Sequence, residues 1–152
     1  MDEVFDHARE FLNAVFKAAG FDLRTEALET EGGAVLDIDG EDVPFLRGEG
    51  GELLDALEVL VNQAFTRSLP HPEHITCDAG GYRATRELEL RAMARHAAER
   101  VRATGVPFSF GPMSPNERRV IHLALANDEV VHTESVGEGN LRRLRVSLKP
   151  SN

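Results

Sequence analysis

A single cysteine, Cys77, is present in 152 residues, so no internal disulfide can form, and a lone thiol suits a reducing compartment. No stretch approaches the ~18 consecutive apolar residues that a membrane span needs. The opening MDEVFDHARE is acidic and lacks the apolar run of a secretory signal. Internal repeats and low-complexity tracts are absent. These absences point to a cytoplasmic protein without membrane insertion. Catalytic signatures are missing as well: there is no Gly-x-Ser-x-Gly elbow and no His-Glu-x-x-His pair. His96, His122, His132 and many carboxylates offer acids and bases, but no nucleophile stands in a recognisable setting, and the chain reads as non-enzymatic, with no cofactor.

What is present is a 41% hydrophobic chain, enough to bury a real core in one medium domain or two small ones. Basic residues are scarce in only part of it. Residues 1–80 hold five Lys/Arg against 18 Asp/Glu, a net −13, whereas residues 81–152 hold 12 against 8, a net +4. Such asymmetry indicates two modules with different electrostatic tasks.

The apolar spacing predicts how each module is built. Val4, Ala8, Phe11, Leu12, Val15, Phe16 and Ala19 recur at three and four, the signature of an amphipathic helix that Gly20 stops. FDLRTEALE and GAVLDIDG alternate as strands around a turn at Gly32 and Gly33. After a glycine loop, Leu53, Leu54, Leu57, Leu60, Val61, Ala64 and Phe65 predict a second helix. SLPHPEH is then a loop and ITC a short strand. From Tyr82 to about Ala103 a long helix buries Leu90, Met93, Ala94, Ala97 and Val101, with Arg91, Arg95 and Arg102 on another face. VPFSF is a strand. SPNERRVIHLALAN opens a helix with Ser114 as cap, Pro115 at the first helical position and Glu117 to complete a capping box. EVVHTESV and LRRLRVSL form a hairpin about GEGN. Its last strand alternates Leu144, Val146 and Leu148 with Arg143, Arg145 and Ser147.

Three constellations carry chemistry. Arg118 and His122, with Arg119 beside them, share a helix four residues apart. Arg118 offers a planar fork to phosphate, and His122 can stack on a base or donate a hydrogen bond. With Arg142, Arg143 and Arg145 on the hairpin they make a basic surface able to follow a nucleic-acid backbone. The same residues also fit a solvated helix face and an arginine-decorated edge strand. Gly48, Glu49, Gly50 and Gly51 precede a helix, a place whose free N–H groups suit phosphate, though such glycines also serve as plain turn punctuation. No Lys-Ser/Thr follows, which excludes a nucleotide P-loop. His71, His74 and Cys77 have a spacing compatible with zinc, but no fourth ligand cluster exists, and a loop histidine pair beside a buried cysteine accounts for them. No metal is expected.

At this point the chain resembles a known family. DIDGEDVPFLRGEGGELLDALEVLVN is similar to the heart of the KH domain of the bacterial Jag (SpoIIIJ-associated) family. GPMSPNERRVIHLALANDEVVHTESVGEGNLRRLRVSLKP resembles that family's R-three-H domain, and DAGGYRATRELEL fits the linking helix. The resemblance spans about residues 4–150. It implies an α/β (α+β) protein: a type II KH domain of α-β-β-α-α-β order over 1–79, then an R-three-H domain of helices on a short sheet over 80–152. It implies non-catalytic binding of single-stranded RNA, post-transcriptional regulation tied to cell elongation or division, and partnership with a small single-domain KH protein. On this resemblance Arg118 and His122 are the naming arginine and histidine. Ser135, Gly137, Arg142 and Arg143 fall on the hairpin motif, and Gly48–Gly51 are the Gly-x-x-Gly loop that lies on a nucleic-acid backbone. The family usually also has an N-terminal Jag domain, whereas this chain opens on the KH helix. Its two variable loop positions, usually basic, are Glu49 and Gly50, and the usually aliphatic residue before the loop is Arg47. Exchanging a cation for Glu49 turns attraction into repulsion of ~1 kcal/mol at 4 Å in water. The expectation is that the C-terminal half carries most RNA affinity. The first half then binds weakly or acts as a protein-contact surface, paired in that alternative with another KH protein, and Arg47 restores attraction only if it faces outward.

Overall fold

The computed structural model describes residues 3–31, 33–67 and 74–151. The chain is a mixed α/β protein that divides after Arg83 into two compact units, each with its own core. Gly32 and most of the SLPHPEH segment, His71 included, lie outside the described residues. Among the described residues no helix is long and apolar enough to cross a membrane.

The first unit runs α1 (Glu3–Ala19), β1 (Arg24–Thr30), β2 (Gly33–Asp39), α2 (Val43–Arg47), α3 (Glu52–Phe65) and β3 (Thr76–Asp78). α1 buries Phe5, Ala8, Leu12 and Phe16, so Phe5 joins the stripe read from the sequence. Gly20, at φ +77°, ends it: the Phe21 N–H reaches back to the Phe16 carbonyl at 2.9 Å, a closure that needs a left-handed residue between. β1 and β2 pair antiparallel, with Ala27 opposite Leu36, while β2 and β3 run parallel, with Leu36 opposite Cys77. α2 and α3 supply the crossover that a parallel pair requires. α2, with Pro44 in its first turn, replaces what the sequence presented only as the approach to the glycine loop. Its five residues are too few to show a helical period. Leu54, Leu57 and Val61 of α3 are buried, but Leu53 and Leu60 are not. The core takes one stripe, and the broader apolar pattern leaves them on the outer face.

Two asparagines hold the outer strands. Asn13 of α1 accepts the Thr25 N–H at 2.7 Å, and Asn62 of α3 accepts the Ile75 N–H and donates to the Ile75 carbonyl, both at 2.8 Å. Each satisfies backbone groups on the open side of an edge strand, which would otherwise invite pairing with another chain.

α4 (Tyr82–Thr104) begins in the first unit. The rest of it belongs to the second, with β4 (Phe108–Ser109), α5 (Pro115–Leu125), β5 (Val131–Val136) and β6 (Arg143–Leu148). The sheet order is β4-β6-β5, antiparallel throughout. α4 buries Leu90, Ala94, Ala97, Ala98 and Val101. Ala98 takes the place expected for Met93, which is 37% exposed, because a run at four, seven, eight and eleven follows the 3.6 period more closely. Ile121 and Leu125 of α5 close on Phe110, Val131, Leu144 and Val146. Leu148, expected in the core, is 40% exposed at the strand's end.

Candidate nucleic-acid interface

The start of α5 sets the geometry. The Ser114 hydroxyl caps it by accepting the Glu117 N–H at 3.2 Å, and Pro115 occupies the first turn. The expected capping box is only half made. The Glu117 carboxylate takes the Arg86 guanidinium of α4 instead, Nε to Oε1 at 2.7 Å, and is buried. A bond in which both partners are charged outweighs one from the carboxylate to an uncharged backbone N–H at that depth. α5 is thereby tied to α4 beneath its outer face.

That outer face carries Pro115, Arg118, Arg119 and His122, which share one stripe. Facing them are Thr133, Glu134 and Ser135 of β5 with Arg142 and Leu144. Together they line a cleft of about 300 Å³. The cross-strand register explains the hairpin's contribution. Thr133 stands opposite Val146 and Ser135 opposite Leu144, on the face toward α5. Glu134 stands opposite Arg145 and Val136 opposite Arg143, on the other face, with Glu134 still reaching the rim of the cleft. Arg118, Arg119, His122 and Arg142 are thus brought together, whereas Arg143 and Arg145 project from the far side of the hairpin, and Arg145 is ion-paired with Glu134. The single surface expected for all six divides in two because of this alternation. Among the described residues no carboxylate pairs with Arg118, Arg119, Arg142 or Arg143, in contrast to Arg83, Arg86, Arg91 and Arg102. Arg142 Nη1 donates to the Gly137 carbonyl at 3.3 Å, which leans it back on its own turn. Thr133, whose Oγ1 lies 2.6 Å from His122 Nδ1, completes the site, a role that no local motif announces. The signal was its place on β5, two residues from Val131 on the same face.

The glycine loop is a tight turn. The Gly51 N–H donates to the Gly48 carbonyl at 3.0 Å and the Gly48 N–H to Pro44, so two of its amides are committed internally. Glu49 adopts φ 52°, ψ 43°, the one non-glycine residue with positive φ among those described. Gly51 has φ +79°, and a Cβ there would stand 2.8 Å from the Tyr82 ring, so this position excludes other residues on two counts. The Arg47 guanidinium donates to the Ala79 carbonyl at 3.0 Å and is engaged by that turn. Glu49 sits close enough to Glu52 that a hydrogen bond between their carboxyls, followed by charge repulsion, raises the Glu52 carboxyl above its ordinary value. The entrance to α3 therefore presents two carboxylates.

His74 pairs with Glu58 at 3.3 Å, and Glu58 also accepts the Cys77 N–H at 2.8 Å. Burial, then the Glu58 charge, pushes the Cys77 thiol up to about 12. Arg83 gathers Asp55, Glu58 and the Cys77 carbonyl, so this polar cluster serves to join β3, α3 and the first turn of α4.

The R-three-H domain family matches residues 88–148, the span that holds the cleft. A protein named RNA-binding protein KhpB from Clostridium symbiosum is 38% identical over 149 residues, 97% of this chain and 67% of that protein. The chain belongs to the KhpB family. A Bacillus subtilis KhpB is 35% identical over 114 residues, 74% of this chain and 55% of that protein, and one from Lactiplantibacillus plantarum is 30% identical over 143, 92% and 44%. The chain thus spans between under half and two thirds of these KhpB lengths.

Proposed function

We propose that this protein is a non-enzymatic, cytoplasmic binder of single-stranded RNA, a post-transcriptional regulator whose contacts centre on the α5–hairpin cleft. The observation that carries the reading is the convergence there of Arg118, Arg119 and Arg142, none with a carboxylate partner among the described residues, around His122. Guanidinium groups left unpaired beside a small cleft are suited to phosphate oxygens. The KhpB relatives, named as RNA-binding proteins, support the choice of RNA. In this reading residues 80–152 are the R-three-H domain. Residues 1–79 are a type II KH domain, supported by their helix–strand–strand–helix–helix–strand order with the glycine turn between the second and third helices. Arg118 and Arg142 hold successive phosphates, and Arg143, on the far face, reaches a strand that passes round the hairpin tip. Fluorescence anisotropy with a labelled single-stranded RNA across several salt concentrations tests this. Arg118→Ala should bind more weakly, with a log–log salt slope shallower by about one. Unchanged affinity and slope would remove Arg118 from the interface.

A second reading has one specific observation in its favour: the first unit turns two carboxylates, Glu49 and Glu52, outward where a phosphate-binding loop needs cations, while Arg47 is held by Ala79. That unit then acts as an adaptor surface for a small single-domain KH protein. Complex formation with such a protein that persists after nuclease treatment would support it.

A further inference from the structure

We infer that Thr133 is the positioning residue for His122, and that its hydroxyl sets which ring nitrogen the cleft offers to its ligand. The inference rests on the RNA-binding reading above and goes beyond it by assigning an atom and its hydrogen-bonding sense.

His122 is exposed on the outer stripe of α5, where an unrestrained imidazole would sample several rotamers and both ring flips. Its Nδ1 is 2.6 Å from Thr133 Oγ1, a short bond between a helix and the strand facing it. Both ends are fixed. α5 is held by the Ser114 cap, the pair of buried Glu117 with Arg86, and the burial of Ile121 and Leu125. Thr133 stands in the middle of β5 opposite buried Val146, and its branched side chain has little freedom about χ1. With Nδ1 held in this way, Nε2 is the ring nitrogen left for a ligand.

The chemistry of the lining decides the proton. Arg118, Arg119 and Arg142 are donors only, and Ser135 adds a hydroxyl. The one carboxylate on the lining, Glu134, is already paired with Arg145. A cleft so rich in donors takes an anion, and a bare Nε2 lone pair would face that anion unfavourably. With that anion bound, His122 therefore carries its proton on Nε2, Nδ1 is an acceptor in the neutral ring, and the Thr133 hydroxyl donates to it. When the ring is protonated the same hydroxyl turns and accepts from Nδ1–H, so Nε2–H points into the cleft in both states. A side chain with an oxygen but no hydrogen to give could not serve both.

The test uses the whole chain and a labelled single-stranded RNA. Thr133→Val should weaken binding about fivefold, the order expected for one net hydrogen bond, whereas Thr133→Ser should retain wild-type affinity. In a His122→Ala background the same Thr133→Val change should have no further effect, which a merely structural role for Thr133 would not produce. Nitrogen-15 NMR of the RNA-bound protein with the ring neutral should find His122 protonated on Nε2. A proton on Nδ1 there, or a full additional loss in the double variant, overturns the inference. If Arg118→Ala and His122→Ala weaken binding while Thr133→Val does not, the inference alone fails. If none of the three alters binding, the RNA-binding reading fails with it.

Discussion

Glu49 concentrates two costs in one side chain. An L-residue in the left-handed region loses roughly 1–2 kcal/mol relative to its ordinary backbone, and its carboxyl confronts Glu52. Glu49→Gly removes both. Glycine gives back roughly 0.5–1 kcal/mol in lost chain freedom, so the backbone change alone leaves a net stabilisation between about zero and 1.5 kcal/mol, with relief of the repulsion adding to it, in denaturant titration at neutral pH. Because the folded-state Glu52 carboxyl is raised, the folded chain holds that proton more tightly than the unfolded one. Its repulsion is present above the carboxylate range and fades as pH falls through it, so the advantage of Glu49→Gly should shrink in acid. An advantage that persists undiminished would assign it to the backbone alone. Cys77 is raised too, but by burial, which outweighs the lowering effect of the Arg83 charge. Below its ordinary value near 9 the thiol is neutral in folded and unfolded chains alike. Only above that does the folded state lose stability, progressively toward about pH 12. Alkylation at pH 8 should accordingly follow opening of the first unit, and a rate matching that of an exposed thiol would contradict the burial.

At the level of elements, α5 shows what a sequence reveals and where it stops. The cap Ser114, the Pro115 start and the face shared by Arg118 and His122 were all legible, because each depends on neighbours within one turn. The partner of Glu117 was not, since Arg86 is 31 residues away and local pattern offered a nearer use for the carboxylate. The division of the hairpin arginines has a related cause. Alternation placed Arg143 and Arg145 on one face, but only the pairing of β5 with β6 fixes which face α5 covers. α2 escaped notice for its brevity, and Thr133 for the ordinary look of a threonine in a strand. The Glu117–Arg86 pair invites a direct measurement. Glu117→Ala leaves the guanidinium partly buried without its main carboxylate, a change that costs about 3–5 kcal/mol for fully buried pairs. With Arg86 still about a quarter exposed, a loss at or below the lower end is expected in denaturant unfolding of the second unit. A loss under about 0.5 kcal/mol would mean that the pair behaves as a surface one and that α5 is held by its apolar face alone.

Across the whole molecule, charge is segregated along the chain, −13 over residues 1–80 and +4 over residues 81–152. A polyanion approaching this protein meets attraction at the cleft and repulsion from the acidic unit, both falling off over a Debye length of ~8 Å at physiological salt. How much the acidic unit matters depends on whether its glycine turn touches RNA. Committed amides at Gly48 and Gly51, the engaged Arg47 and the Glu49–Glu52 pair all argue that it contributes little. Glu49→Lys discriminates between two ways it can fail to contribute. Where the turn lies on the backbone and is merely spoiled by charge, reversing Glu49 gains on the order of 1 kcal/mol or more at 4 Å, read as severalfold tighter binding with a steeper salt dependence. Where the turn is remote from RNA, the same change acts only through the long-range field: it raises the association rate at low salt and does nothing at high salt. Association and dissociation rates at two ionic strengths separate these outcomes. Slower dissociation at high salt would make the glycine turn a phosphate site disabled by one residue. An effect confined to association at low salt would leave RNA contact to the α5–hairpin cleft and free the first unit for a protein partner.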